Sequence, residues 1–315
     1  MKKFALWKDQ IKVQMSETNS SIKPWVRTLL ILPAFLFIAG LFQWAGYLVL
    51  GLDPSNFSID KSPVQETIVA LFTLAGTSSI VGLFRRFIDE ESFKSMGFYR
   101  RGIRNETLLG IGLGALILAT GFVTLVSIHE INWLGLKVEA DNILLGFGLF
   151  VFVALSEELL FRGYVLNNLM KSMNRLIALA VSALMFSFIH VFNSYFSWLG
   201  FWDLFLGGIL LGLPYIYTKS LWLPIAMHFS WNFFQGTIFG FNVSGHVTYS
   251  LFIQSRTADT IWNGGKFGFE GSVLSIVFQM IAIGGMWWYY SKKPEQTQLA
   301  CIPVTDQSLV ENQVD

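Results

Sequence analysis

Eight stretches of this chain are apolar for long enough to cross a bilayer, and they leave it little else to become. A hydrocarbon core about 30 Å thick needs about 20 apolar residues of helix. Such runs lie at about 27–50, 64–84, 107–128, 143–161, 176–193, 204–218, 221–241 and 272–290. Composition agrees. Of 315 residues, 53% are hydrophobic and 14% charged, against roughly 25% charged in an average soluble domain, and the mean hydropathy is +0.52. Soluble, disordered, collagenous and coiled-coil classes are excluded. The expected fold class is all-α, a polytopic membrane bundle of about eight transmembrane helices. A net charge of +1 excludes the chain as a nucleic-acid binder. One cysteine, Cys301, excludes a disulfide framework and a Cys-only zinc site.

Loop charge sets orientation. The segment before the first run, the second, fourth and sixth loops and the tail hold 17 lysines and arginines. The other loops hold four: Lys61, Lys137, Arg256 and Lys266. This bias expects both termini in the cytoplasm; the expected location, a separate expectation, is a bacterial plasma membrane, as a multi-pass protein. The first run lacks a small-residue cleavage site and reads as a retained span. The basic segment 85–106 reads as a topology-setting loop in preference to a strip lying on the leaflet. Cys301-Ile302-Pro303-Val304 looks like a prenylation box, but eleven residues follow it and the signal must be terminal. The expected organisation is a cytoplasmic segment 1–26, spans one to three over 27–128, a core over 143–241, an outer loop 242–271, a last span 272–290 and a polar tail 291–315.

An ionisable group inside a span costs about 2.5–3.5 kcal/mol on insertion scales. Three spans carry such groups. Span four has Glu157, Glu158 and Arg162; span five ends in Phe186-x-x-x-His190; span seven has His228-x-x-x-Asn232. Glu158 and Arg162 are spaced for an i,i+4 ion pair with the acid first, the better order. Glu157 is turned about 100° from Glu158 and is less naturally satisfied by Arg162, so one carboxylate is free to face a cavity. His228 shares a face with Asn232, and Phe186 with His190. A free carboxylate, two imidazoles and a carboxamide form a hydrolytic set. The carboxylate can take a proton from water, an imidazole can orient that water, and the remaining donors can hold an oxyanion. His129-Glu130 begins like a zincin helix, but Trp133 stands where the closing histidine belongs. The pairs Gly110/Gly114 and Gly208/Gly212 permit close helix packing.

The three motifs, Glu-Glu-x-x-x-Arg, Phe-x-x-x-His and His-x-x-x-Asn, resemble those of the CPBP family of intramembrane proteases, also called the CAAX-protease or Abi family. The resemblance covers roughly 143–241. It implies an intramembrane endopeptidase acting on a membrane-associated protein or peptide, prenylated in some members. It also implies roles: Glu157 and His190 activate water, His228 and Asn232 hold the oxyanion, and Glu158, Arg162 and Phe186 support the site. No cofactor is favoured. If a zinc ion is used, Glu157, His190 and His228 are its expected ligands.

Rival readings are a non-catalytic membrane scaffold of the same fold and a proton-coupled transporter. The transporter predicts further charged groups along the other spans. Counting 1.5 Å per residue places Glu157 and His228 in the cytoplasmic half and His190 about two-thirds of the way outward.

Overall fold

The computed structural model describes residues 22–54, 61–100 and 102–292. Cys301, most of the tail and the Lys-rich start lie outside the described residues. The chain forms α1 (Pro24–Val49), α2 (Pro63–Phe87), α3 (Ile103–Ser127), β1 (Asn132–Leu136) and α4 (Ala140–Glu158). Helix α4 continues as a π-helix over Leu159–Leu166 and a last turn Asn167–Met170. Then come α5 (Arg175–Ile189), α6 (Trp198–Thr218), α7 (Trp222–Asn232, continued as a π-helix over Phe233–Ile238), β2 (Phe252–Ser255) and α8 (Val273–Ser291). Helix starts follow local chemistry. Ser62 and Gln65 form a reciprocal capping box ahead of Pro63, and Ser197, Ser272 and Asn174 cap α6, α8 and α5. Each cap satisfies amides that a helix start leaves unpaired.

Seven helices have the length and hydropathy of a span; the sequence suggested about eight. The difference is α7, with 11 residues of α-helix and six of π-helix. It still crosses. At one end of the bundle Lys171 pairs with Glu91, Trp25 bonds Ser172, and Tyr290 stacks on Tyr217. At the other end β1 pairs antiparallel with β2, Asn193 donates to the Ser244 carbonyl, and Thr260 and Asn263 donate to Glu130. Consecutive loops alternate between these ends. The two described ends of the chain therefore share one rim.

Helix α7 is short because it starts inside the bundle. Leu221 has no exposed surface, and a Cβ placed on Gly163 would sit 3.4 Å from its Cδ1. Every residue from Leu223 to Asn232 is buried. Helix α3 packs along it through Gly110 and Gly114, where a Cβ would come within 2.8 Å of Met227 N and of Ser230 Cβ. Gly208 and Gly212 likewise let α6 meet Ala183 and Leu179 of α5. Helix α6 is the other interior element, with 67% of its span buried, whereas the other candidate spans range from 22 to 33%.

The basic segment after α2 is structural. Arg27, Arg85, Tyr164 and Asn168 all donate to the buried carboxylate of Asp89, joining α1, α2 and α4. Arg85 and Lys171 also reach Glu91. Burial alone would raise that carboxyl, but the Lys171 and Arg85 charges outweigh it and hold Glu91 below the ordinary carboxylate range. The strand pair is a small addition to the all-α expectation.

Candidate active site

Helices α4, α5 and α7 bring the motif residues to one wall of a cavity of about 400 Å³. Glu157 lies midway along a continuous 31-residue helix, Ala140–Met170, not near the end of a run stopping at 161. Its Oε2 is 3.9 Å from Nε2 of His190 and 3.8 Å from Nε2 of His228. The expected difference in depth between His190 and the other two is therefore absent. Two features remove it: α4 extends further inward, and α7 begins level with Gly163.

The neighbouring carboxylate points the other way. Glu158 is fully buried, and its Oε1 accepts from Arg162 Nη1 and from His228 Nδ1, each at 2.7 Å. The second guanidinium nitrogen of Arg162 donates to the Gly208 carbonyl of α6 at 3.2 Å. Its cationic carbon lies 4.8 Å over the Phe186 ring. Phe186 in turn stands 4.7 Å from the His190 ring and 6.2 Å from that of His228. It thus backs both imidazoles and the cation, a favourable use of an aromatic face.

Hydrogen bonds fix both rings. A backbone carbonyl can only accept, so the 2.8 Å contact from His190 to the Phe186 carbonyl puts a proton on Nδ1. In the neutral ring, Nε2 then faces Glu157 with its lone pair. A carboxylate also only accepts, so His228 donates from Nδ1 to Glu158. Asn232, one turn further along α7, is buried and lines the cavity, and its side chain makes no hydrogen bond to a described residue. Its carboxamide is free for a ligand. The helical geometry changes immediately past both Glu158 and Asn232, where the π-helical turns begin. Such turns are frequent at functional sites.

Among the described residues, no group of three or more His, Cys, Asp or Glu side chains is arranged to hold a metal ion. The cavity also contains residues that the sequence motifs did not indicate. Glu66, Asp203, Glu270 and Gln279 line it, with Lys61 and His246 toward the rim that carries the strands. Burial, and then the Lys61 and His190 charges, push the His246 imidazole below its ordinary range. Asp203 was missed because its span was read from residue 204. The helix starts at Trp198, capped by Ser197, and the cap was the available signal.

Residues 139–234 match the family model described as Type II CAAX prenyl endopeptidase Rce1-like. That is the CAAX-protease family to which the three motifs pointed. No curated protein and no solved structure matches the chain. The matched segment is under a third of the chain, yet it holds all of α4, α5 and α6 and the α7 residues His228 and Asn232. The CAAX-protease match supports an endopeptidase in a multi-pass membrane protein, with the bilayer and a membrane-associated substrate as its partners.

Proposed function

We propose that the chain is an intramembrane endopeptidase that hydrolyses a peptide bond of a membrane-associated protein or peptide by a metal-free, glutamate-activated water. One observation carries this reading: the Glu157 carboxylate faces a buried cavity, with an imidazole Nε2 on either side at 3.9 and 3.8 Å. A water hydrogen-bonded to both Glu157 and His190 at about 2.8 Å would span a 3.9 Å gap with about 90° between its two bonds. Glu157 takes the proton as that water attacks the carbonyl carbon, and the His190 lone pair orients the water. The carbonyl oxygen becomes an oxyanion, held by the Asn232 amide and by Nε2–H of His228. Donation from both His228 nitrogens requires the imidazolium, and Glu157 and Glu158 flank that ring to balance it. The proton on Glu157 then passes to the leaving amine.

A zinc ion on Glu157, His190 and His228 is the alternative. Tetrahedral ligands at about 2.0–2.1 Å stand about 3.3 Å apart, so these side chains would have to draw together by about half an ångström. The further acids Glu66, Asp203 and Glu270 bear on the transporter reading, yet these three line the same cavity as Glu157. Phe161, Val165, Leu166 and Leu213 belong to the buried apolar core.

The test compares membrane proteomes of cells carrying the native chain or Glu157→Gln, and searches for new peptide termini. Termini that depend on Glu157 support the endopeptidase, and their sequences show whether the substrate ends in a prenylation signal. An identical set of termini refutes it in favour of a scaffold. Metal content of the purified chain is measured alongside. Activity unchanged by a strong chelator is expected; one zinc per chain, lost and restored together with activity, would overturn the metal-free mechanism.

A further inference from the structure

Asp203 is the least explained group in the cavity. It sits in the second turn of α6, has no exposed surface, and lines the cavity with Leu204 and Gly207 of the same helix. Neither Oδ1 nor Oδ2 has a well-aligned hydrogen-bond partner, although the side chains of Ser275 and Gln279 of α8 stand close enough to interact with the carboxylate. Gln279 is also buried on this wall, and its Oε1 lacks a partner as well. Its amide nitrogen donates to Ser275 Oγ at 3.2 Å. Three buried atoms are therefore left over here, and all three are acceptors. Leaving even one such group unmatched is unfavourable, so a ligand that brings donors to this wall would be stabilised.

Charge points the same way. Glu66, Glu157, Asp203 and Glu270 line the cavity, and Lys61 is the one lysine or arginine among the lining residues. Glu270 is satisfied by Trp231 Nε1 and by the amide and hydroxyl of Ser244, so it fixes the wall and leaves Asp203 as the free acid beside it. Gly208, whose carbonyl holds Arg162, is five residues further along α6, about 7.5 Å of helical rise. Asp203 is thus outside the Glu158–Arg162–His228 network and does not share its cation.

We infer that Asp203 and Gln279 form a subsite for a cationic side chain, lysine or arginine, of the peptide that the cavity takes in. An ammonium brings three donors and no acceptor, which matches three unpartnered acceptors, and its charge matches the acid. The inference rests on the endopeptidase reading for its ligand being a peptide. It assigns that peptide a property the motifs do not contain, namely a basic residue near the bond to be cut.

The experiment uses the full chain in lipid nanodiscs and two variants, Glu157→Gln and Glu157→Gln/Asp203→Asn. The probes are fluorescent, acyl-anchored, N-acetylated peptides. They are identical except that one position, moved along the peptide, holds lysine or its neutral counterpart norleucine. At one position the Glu157→Gln protein should bind the lysine peptide about ten- to a hundredfold more tightly, the range of a charged hydrogen bond. Adding Asp203→Asn should bring that ratio to about one. The ratio compares two peptides on one protein, so partial misfolding of a variant leaves it unaffected. Equal affinities at every position, or a preference that survives Asp203→Asn, would overturn the subsite. So would the same preference in a norleucine peptide whose one cation is a free N-terminus. Cleavage of the same peptides by the native chain separates the two readings. Cleavage without a lysine preference sinks only the subsite; lysine preference without Glu157-dependent cleavage sinks only the peptidase.

Discussion

Substituting Glu158 by glutamine should damage the fold more than the same change at Glu157, and the structure gives the size. Both donors to Glu158, Arg162 Nη1 and His228 Nδ1, converge on Oε1, and Oε2 has no partner. A glutamine can keep its oxygen at that point and turn its NH₂ to the empty side. Geometry is retained and the charge is lost. Arg162, whose side chain is 2% exposed, is then a buried cation beside a neutral amide. Removing one partner of a buried pair costs about 3–5 kcal/mol, a large part of a total stability of roughly 5–15 kcal/mol. An apparent melting point in detergent, followed by tryptophan fluorescence, should fall by roughly ten degrees. Glu157→Gln should melt within a degree or two of the native chain, because its carboxylate is 25% exposed to the cavity and has no cationic partner at hydrogen-bond distance. The decisive variant is Glu158→Gln/Arg162→Met. Removing the stranded cation along with its acid should recover part of the loss, although the Gly208 carbonyl gives up a donor. A double variant that melts lower than Glu158→Gln alone, by the full cost of a second independent change, would refute the reasoning.

Asn232→Ala should lower the catalytic rate by roughly 10²–10³, the loss typical of one oxyanion donor, with KM nearly unchanged; a rise in KM at constant kcat would recast Asn232 as a binding group. Reporter fusions after Lys293 should read cytoplasmic and fusions near Arg256 external, because the described chain ends share one rim and the sequence expects the basic-rich segments, 17 lysines and arginines against four, on the cytoplasmic side. The cavity extends to Lys61 and His246 at the opposite rim, so the same orientation expects substrate to enter from the non-cytoplasmic side, and a reversed reporter pattern would overturn both.

The sequence was most informative where a helix's own period carries the information. Glu158 and Arg162, His228 and Asn232, and Phe186 and His190 are each four apart, and a spacing of four puts two side chains on one helix face whatever surrounds the helix. The 100° between Glu157 and Glu158 is equally local. Contacts between distant segments were less accessible. The β1–β2 pair joins Asn132 to Ser255, and β1 is exposed on nearly every residue, so it lacks the alternation that marks a strand. Asp203 was lost to a boundary error of six residues. Hydropathy begins the span where the apolar run becomes continuous, while the backbone begins it at a serine cap with Trp198, Phe201 and Trp202 still to come.

The depth of the site was misread for a reason that applies to interior helices in general. Rise per residue measures position along a helix but not where the helix starts. Counting from loop to loop assumes that every loop lies at the surface, and the α6–α7 connection is buried at Ser220 and Leu221. Lys219 takes a left-handed turn at φ 54°, Ser220 bonds Glu106 on α3, and Leu221 is bonded to Gly97 and packed against the level of Gly163. The chain therefore enters α7 already inside the bundle. A helix that is surrounded by protein on all sides, as α7 is from Leu223 to Asn232, need not span the hydrocarbon thickness itself, because its backbone and polar side chains meet other helices instead of lipid. That freedom lets His228 stand level with Glu157 and His190 after only two turns of helix. It also lets three ionisable groups from three separate crossings meet at a depth where each alone would be unfavourable.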